Sequence, residues 1–495
     1  MKTEKTALLR SPVPIIDYAV CLALIVAFIS SMLLHQPGHN WGDDFALYIH
    51  QAQALLSGEV PQLVSENTFM VRQSDMQFGP EAYPWGFPIM LAPVISIAGP
   101  DFAVLKMLES LFFVLAMGCY YLLARRFIPK SWAFAGMLLL AFNNLYLHHT
   151  SNVLTEFPFL LLMLLSLLCA ERFFRRQHWR YAIILGGLSW FTFLIRTEGI
   201  VLLPAYCYAV WSARQDFSDG GWRWQKIMLV SIPPATWFLL DTLAGALLPR
   251  GFASHMEITG IGSLDTLREN WQYYPAKLTW MLTGFKQYIL FFTLFFVCML
   301  TGLYRLRTSA AMPAAVMVQL GVILLAWPFR EHRYLFAFLP FALLFATAGL
   351  QLAATRLKWL GAVVLIPAIF VLILHLHSDF IHIRRNLASP AVMAGPMEKD
   401  SRDMFRFIKE KTDKKDVIAF FRPRAMHLYA ERRSLVVINN PLALVRSAQY
   451  YVFRTGGNNF YQQDTAFLRY RPFNSLQTVY RNPSFIVYKI PPHVQ

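Results

Sequence analysis

Apolar runs of about 17 to 23 residues recur along most of this 495-residue chain, and they restrict its fold more than any other feature. A run of that length, wound as a helix, crosses the hydrocarbon core of a bilayer with its backbone hydrogen bonds satisfied internally. About eleven stretches read as spans, at 13–34, 101–124, 131–147, 153–171, 181–196, 199–213, 227–248, 285–304, 310–328, 334–353 and 359–377. The chain is therefore expected to be a polytopic α-helical membrane protein. Its composition agrees: 15% of residues are charged, where a soluble domain carries about a quarter. All five cysteines (Cys21, Cys119, Cys169, Cys207, Cys298) fall inside apolar runs. Neither a disulfide framework nor a thiolate metal site is expected from them.

The formal net charge is +16. In a soluble protein that excess would point to nucleic acid, but here the basic residues concentrate in short loops between apolar runs. With the N-terminus inside, the inner loops hold Arg125, Arg126, Arg172, Arg175, Arg176, Arg305 and Arg307, among others. Inner basic residues outnumber outer ones by about two to one, the bias that sets membrane orientation. No nucleic-acid partner is expected. The run after "MKTEKTALLR" is too long for a signal-peptide core and lacks a small-x-small cleavage site, so it reads as a retained first span. Residues 1–377 then form a membrane domain with two large outer loops, 35–100 and 249–284. Residues 378–495 form a second domain on the same outer side. In that tail "SRDMFRFIKEKTDKKDV" and "PRAMHLYAERR" read as helices. The runs "DVIAFF", "SLVVIN", "QYYVFR" and "SFIVYKI" read as strands. A small α/β soluble domain follows from that alternation. No Walker or G-x-G-x-x-G motif supports nucleotide binding.

The first outer loop begins "HNWGDDFALYIHQAQALLSGE" (His39 to Glu59). "FALYIHQAQALLSG" reads as a helix stopped by Gly58. A single acid before it would serve as a cap. Two adjacent acids, Asp43 and Asp44, add a general base or a cation site to the readings. "YPWGFPIMLAP", with three prolines, reads as a rigid interfacial segment anchored by Tyr83 and Trp85. Glu156 stands at the outer end of the fourth span, where it must face a cavity or a partner. His148 and His149 nearby read as interfacial packing or as metal ligands. Arg196 and Glu198 read as a site or as an intramembrane ion pair. "WPFREHRYLFAFLP" places Arg330 and Arg333 at an outer mouth, against the charge trend. Their planar forks suit phosphate oxygens, and an outer interfacial phosphate implies a lipid phosphate. Lys106 and Glu109 add a further charged pair there or an i,i+3 salt bridge. Carboxylates beside arginines are what glycosyl transfer from a lipid phosphate needs: a base for the acceptor hydroxyl and cations for the departing phosphate.

The order of these motifs resembles the GT-C membrane glycosyltransferases, and most the branch of protein O-mannosyltransferases and lipid A aminoarabinose transferases. The similarity rests on the acidic pair after the first span, "A-x-x-L-x-x-G-E" (Ala52 to Glu59), "YPWGFP", "LTE", "RTEG" and "RYLFAFLP". It covers roughly residues 13–377. The resemblance implies an inverting transfer of a sugar from a polyprenyl-phosphate carrier to a cell-envelope acceptor, on the periplasmic side of the inner (plasma) membrane. It implies a base at Asp44 or Asp43, Asp44 being favoured, with Glu156 as the second acid. It places Arg330 and Arg333 on the carrier phosphate, where Arg196 and Lys106 are further candidates. Relatives commonly carry Asp-Glu where this chain has Asp-Asp, which leaves the two roles open. No cofactor is fixed; if a divalent cation is used, Asp43, Asp44 and Glu156 are its candidate ligands. A lipid-linked glycan flippase and an O-antigen ligase or polymerase are the competing readings. The absence of repeated halves weakens the first, and the acids' position in the first loop weakens the second.

Overall fold

The computed structural model describes residues 14–76, 78–213, 224–249, 261–284, 289–356, 358–456, 462, 465–469 and 473–491. The chain opens with α1 (Pro14–Leu34), and the first large loop then folds as α2 (Asp44–Ser57), α3 (Val60–Gln73) and α4 (Gly86–Ala98). The bundle continues with α5 (Phe102–Ala124), α6 (Lys130–Ala141), α7 (Asn144–His149), α8 (Glu156–Arg176), α9 (Trp179–Ile195) and α10 (Leu202–Ser212). It is completed by α11 (Trp224–Leu247), α12 (Leu264–Thr283), α13 (Ile289–Leu306), α14 (Ala311–Ala326), α15 (Leu335–Arg356) and α16 (Lys358–Ala388). Among the described residues, six helices are long and apolar enough to cross a bilayer: α1, α5, α8, α11, α13 and α15 with the turn before it. Shorter apolar helices, among them α6, α9 and α14, pack between them.

Four sequence expectations change locally. The expected span 131–147 is two helices. The Asn143 side chain accepts the N–H groups of Leu145 and Tyr146, which ends one helix and caps the next. "YPWGFPIMLAP" is mostly helix α4. Pro88 falls in its first turn, where no N–H is needed, so only Pro93 removes an internal bond. In the outer loop 249–284, residues 250–260 lie outside the described residues, and α12 occupies most of the rest. Helix α16 runs through residue 377 to Ala388. Helices α13 and α15 cross at Gly302 and Gly349. A Cβ on Gly302 would lie 1.8 Å from the Phe345 carbonyl oxygen, so only glycine admits this approach.

The tail holds α17 (Lys399–Lys411), β1 (Ile418–Ala419), α18 (Pro423–Ala430), β2 (Ser434–Leu435), α19 (Pro441–Ser447), β3 (Tyr450–Arg454), β4 (Gln477–Arg481) and β5 (Phe485–Lys489). The sheet order is β2-β1-β3-β5-β4. β1 pairs parallel with β2 and β3, while β5 pairs antiparallel with β3 and β4. Strand β4 and helix α19 carry too little apolar periodicity to be read from sequence. Apolar clusters cover the two faces of the sheet. One of them is completed from the first loop: Trp41 inserts among Phe405, Phe420, Phe421 and Phe485. At the end of α3, Asp75 accepts the N–H groups of Ile438, Asn439 and Asn440. Tail and first loop are thus packed as one body, at the same end of the bundle as Glu156.

Candidate active site

The sequence sets Asp43 at the N-cap position of α2 and Asp44 one residue later, and Gly58 ends that helix with φ 77°. The capping expectation fails for the side chain: Asp43 makes no capping hydrogen bond to α2. Its Oδ1 instead accepts the backbone N–H of Ala425, at 3.3 Å, in the first turn of tail helix α18. Asp43 therefore ties the tail to the loop. Burial raises its pKa, against the pull of Arg424 and Arg422, and Asp44 beside it adds to the rise.

Asp44 points into a chain of ion pairs. Its Oδ2 accepts from the Arg333 guanidinium at 3.0 Å and its Oδ1 from the Tyr83 hydroxyl at 2.6 Å. The other end of the Arg333 fork lies 3.6 Å from Glu156 Oε1, which also accepts from Arg196 at 3.0 Å. Arg196 bonds Glu198 at 2.7 Å and the Thr155 hydroxyl at 3.2 Å. Glu156 Oε2 meets His149 Nε2 at 3.2 Å. Burial alone would raise the Asp44 carboxyl. Arg333 first, then the Tyr83 hydroxyl and Arg424, outweigh it and hold the group below the usual carboxylate range. Adjacent acids on one short stretch thus have opposite shifts. Exposure separates them further: the Asp44 and Arg333 side chains are 24% and 23% exposed, whereas Glu156 is 3%. The accessible pair is Asp44–Arg333, and Glu156 with Arg196 backs it from inside.

A residue with no distinguishing sequence signal completes this arrangement. Arg424, from α18, is fully buried. It donates to the Tyr83 hydroxyl at 3.2 Å, Asn67 Oδ1 at 3.2 Å and the Pro80 carbonyl at 2.5 Å. Its guanidinium also lies over the Phe78 and Tyr83 rings. A Cβ at Gly79 would lie 2.9 Å from its Nη2. Tyr83, expected only as an interfacial anchor, is thereby fixed as the donor to Asp44. Burial first, and then the neighbouring Asp44, raise its phenol well above the ordinary value, so it stays protonated.

The other expected residues lie elsewhere. Arg330 pairs with Glu269 at a cleft of about 420 Å³ that Tyr273 and Lys277 also line. Lys106 is buried, and its Nζ donates to the Gln36 carbonyl at 2.7 Å, just past the end of α1. It forms no pair with Glu109, whose Oε1 finds no partner in its buried place. His148 meets Asp379 at 3.7 Å rather than the cluster. The three candidate cation ligands do not converge either. Asp43 is turned to α18, and Asp44 and Glu156 are each engaged by arginines. Among the described residues no group of three His, Cys, Asp or Glu side chains is arranged to hold a metal ion.

Residues 83–237 match the family model of dolichyl-phosphate-mannose-protein mannosyltransferases. This segment contains Tyr83, Glu156 and Arg196. No curated protein matches the sequence. In fold, the chain is similar to ArnT from Cupriavidus metallidurans bound to undecaprenyl phosphate, with TM-score 0.54 and 14% identity, over 96% of this chain and 98% of that one. It is also similar to the Archaeoglobus fulgidus oligosaccharyltransferase in complex with Zn and sulfate, with TM-score 0.52 and 13% identity, over 87% of this chain and 68% of that one. A third likeness is to AglB of the same archaeon in complex with an inhibitory peptide and a dolichol-phosphate (TM-score 0.50, 14% identity, 88% and 69% covered). The expected resemblance holds: the chain shares the fold of these structures, in the first case along nearly its whole length, and residues 83–237 carry the sequence pattern of the mannosyltransferase family.

Proposed function

We propose that the chain is an integral membrane glycosyltransferase of the inner membrane. It moves a sugar from a polyprenyl-phosphate carrier to a hydroxyl of a cell-envelope acceptor on the periplasmic side, with inversion and with Asp44 as base. The observation that carries this is the accessible Asp44–Arg333 ion pair, backed by Glu156 and Arg196. The similar structures whose descriptions name undecaprenyl phosphate and dolichol-phosphate support the choice of donor class.

The geometry supports the following chemistry. The acceptor hydroxyl gives its proton to an Asp44 oxygen as its own oxygen attacks the anomeric carbon. The bond from that carbon to the phosphate oxygen breaks on the opposite face, and the carrier phosphate leaves with the electron pair. Protonation cancels the Asp44 charge that holds Arg333. The guanidinium is released toward anionic oxygen at the moment when charge builds on the leaving phosphate. Asp44 suits the base role better than Asp43, because it is partly exposed and its donors keep it ionised, while burial favours the protonated form of Asp43. Arg196 orients Glu156 and adds positive potential.

The test offers purified full-length chain several polyprenyl-phospho-sugars with lipid, glycan and peptide acceptors. Product is quantified and its anomeric configuration read by NMR. Asp44→Asn is expected to lower transfer by roughly 10²- to 10⁴-fold, the range for loss of a positioned base. Elution and thermal melting should stay unchanged. Normal transfer by that variant, or retained configuration, would overturn the mechanism.

A further inference from the structure

The same helix that begins at Glu156 ends in a second charged site. Helix α8 finishes with Arg172, Arg175 and Arg176, and Arg126, just beyond the end of α5, faces them. The four guanidinium groups line one cleft of about 310 Å³. Glu171 is the carboxylate among them, at 2.7 Å from Arg175 and 3.9 Å from Arg126. Arg176 stacks on Tyr181 instead of pairing with an acid. Among the described residues, four cations against one carboxylate leave three positive charges around a shared space. Water and salt screen the repulsion among these exposed groups, and an anion in the shared space would relieve what remains.

Placement narrows the anion. The 21 residues from Glu156 to Arg176 rise about 30 Å along the helix, which is the thickness of the hydrocarbon core. The cleft is therefore a full bilayer away from Asp44, at the end that the basic loops assign to the cytoplasm. Trp179, half-exposed and stacked under Arg180, stands one turn away at the level favoured by interfacial aromatics. Basic pockets between helix ends on this side select phosphorylated headgroups. Planar forks bind phosphate oxygens two at a time, and the excess charge favours a dianionic monoester over a monoanionic diester.

We infer that this arginine cleft is a binding site for a phosphate monoester, supplied by the headgroup of a cytoplasmic-leaflet lipid. It uses no residue of the transfer site, so it stands or falls separately from the proposed activity. The full-length chain is reconstituted in phosphatidylcholine nanodiscs doped with phosphatidic acid, and retained lipid is counted by native mass spectrometry. Phosphatidylglycerol, a diester of lower charge, is the second arm, and inorganic phosphate titrated into undoped discs and into discs holding phosphatidic acid is the third. Phosphatidic acid is expected to be retained in preference to phosphatidylglycerol. Arg172→Gln, and separately Arg176→Gln, should weaken retention by about tenfold each, as expected for a lost charge-assisted contact. Arg172→Lys should restore part of it. Equal retention of the two lipids, or unchanged retention in both glutamine variants, overturns the site. Saturation by inorganic phosphate at concentrations that displace phosphatidic acid keeps the phosphate chemistry and overturns the lipid source.

Discussion

Arg424→Met is the most searching perturbation of this structure, because Arg424 joins the tail to the loop that carries Asp44. Methionine keeps much of the apolar stem but removes donors to Tyr83, Asn67 and the Pro80 carbonyl. Each buried acceptor left without a partner costs about 1–3 kcal/mol. The guanidinium also opposes the burial of Asp43 and of Asp44, and breaking a buried charge arrangement by removing one partner costs about 3–5 kcal/mol. Taking 3 kcal/mol as a floor, the open population of the tail–loop contact should rise by roughly a hundredfold or more. Native-state hydrogen exchange read by mass spectrometry measures this directly. Peptides covering 78–83 and 423–430 should lose protection together, while those in α8 and α15 keep theirs. Transfer should fall, because Tyr83 is no longer fixed against Asp44. Arg424→Lys keeps the charge but not the three-way fork, and should recover only part of both losses. Wild-type protection in Arg424→Met would refute the claim that this side chain docks the tail.

Three further outcomes follow from the same contacts. For Asp43, whose carboxyl is raised above 3.8 in the folded chain, the fold binds the proton more tightly than the unfolded chain does. Stability then falls as pH rises from 3.8 through the raised value, and Asp43→Asn, which can still accept from Ala425, should remove that fall in melting curves across pH 4 to 8. Glu66 has the opposite sign: its hydrogen bond to His427, at 2.8 Å, lowers it from 4.5, so its contribution is present above 4.5 and lost as pH falls through the lowered value. Glu66→Gln should therefore weaken tail protection at neutral pH and flatten its acid dependence. Gly302→Ala puts a methyl group against the Phe345 carbonyl oxygen and should separate α13 from α15 at a cost of about 1–3 kcal/mol or more, read as a lower melting temperature in detergent.

Much of the membrane architecture was legible because the bilayer fixes helix length independently of tertiary detail. The breaks were less legible because they depend on single side chains: Asn143 splits one expected span by capping, and Pro88 is harmless only because it falls in a first turn. The acids and arginines were legible as charges out of place in an apolar chain, and Asp44, Glu156, Arg196 and Arg333 do meet. Lys106 gave the same signal, but its partner is a backbone carbonyl, which no residue pattern announces. Arg424 gave no signal, since one arginine in a basic soluble tail looks like any other until its burial is seen.

The division of labour between Asp43 and Asp44 has a geometric cause. Successive positions at a helix start point in different directions, so adjacent acids do not share an environment. One residue of offset turns Asp43 to the amide of Ala425 and Asp44 to Arg333. Paired carboxylates in sequence are therefore not paired in space, which is why their acidities diverge. The same offset makes the tail part of the site rather than an attachment to it. Asp43 and Arg424 lock α18 onto the loop, Arg424 fixes Tyr83, and Tyr83 sets the Asp44 carboxylate opposite Arg333. A tail that opens must loosen Asp44, the proposed base. Tail docking and transfer should therefore vary together across substitutions at residues 43, 83 and 424, and independently of substitutions in the arginine cleft at the far end of α8.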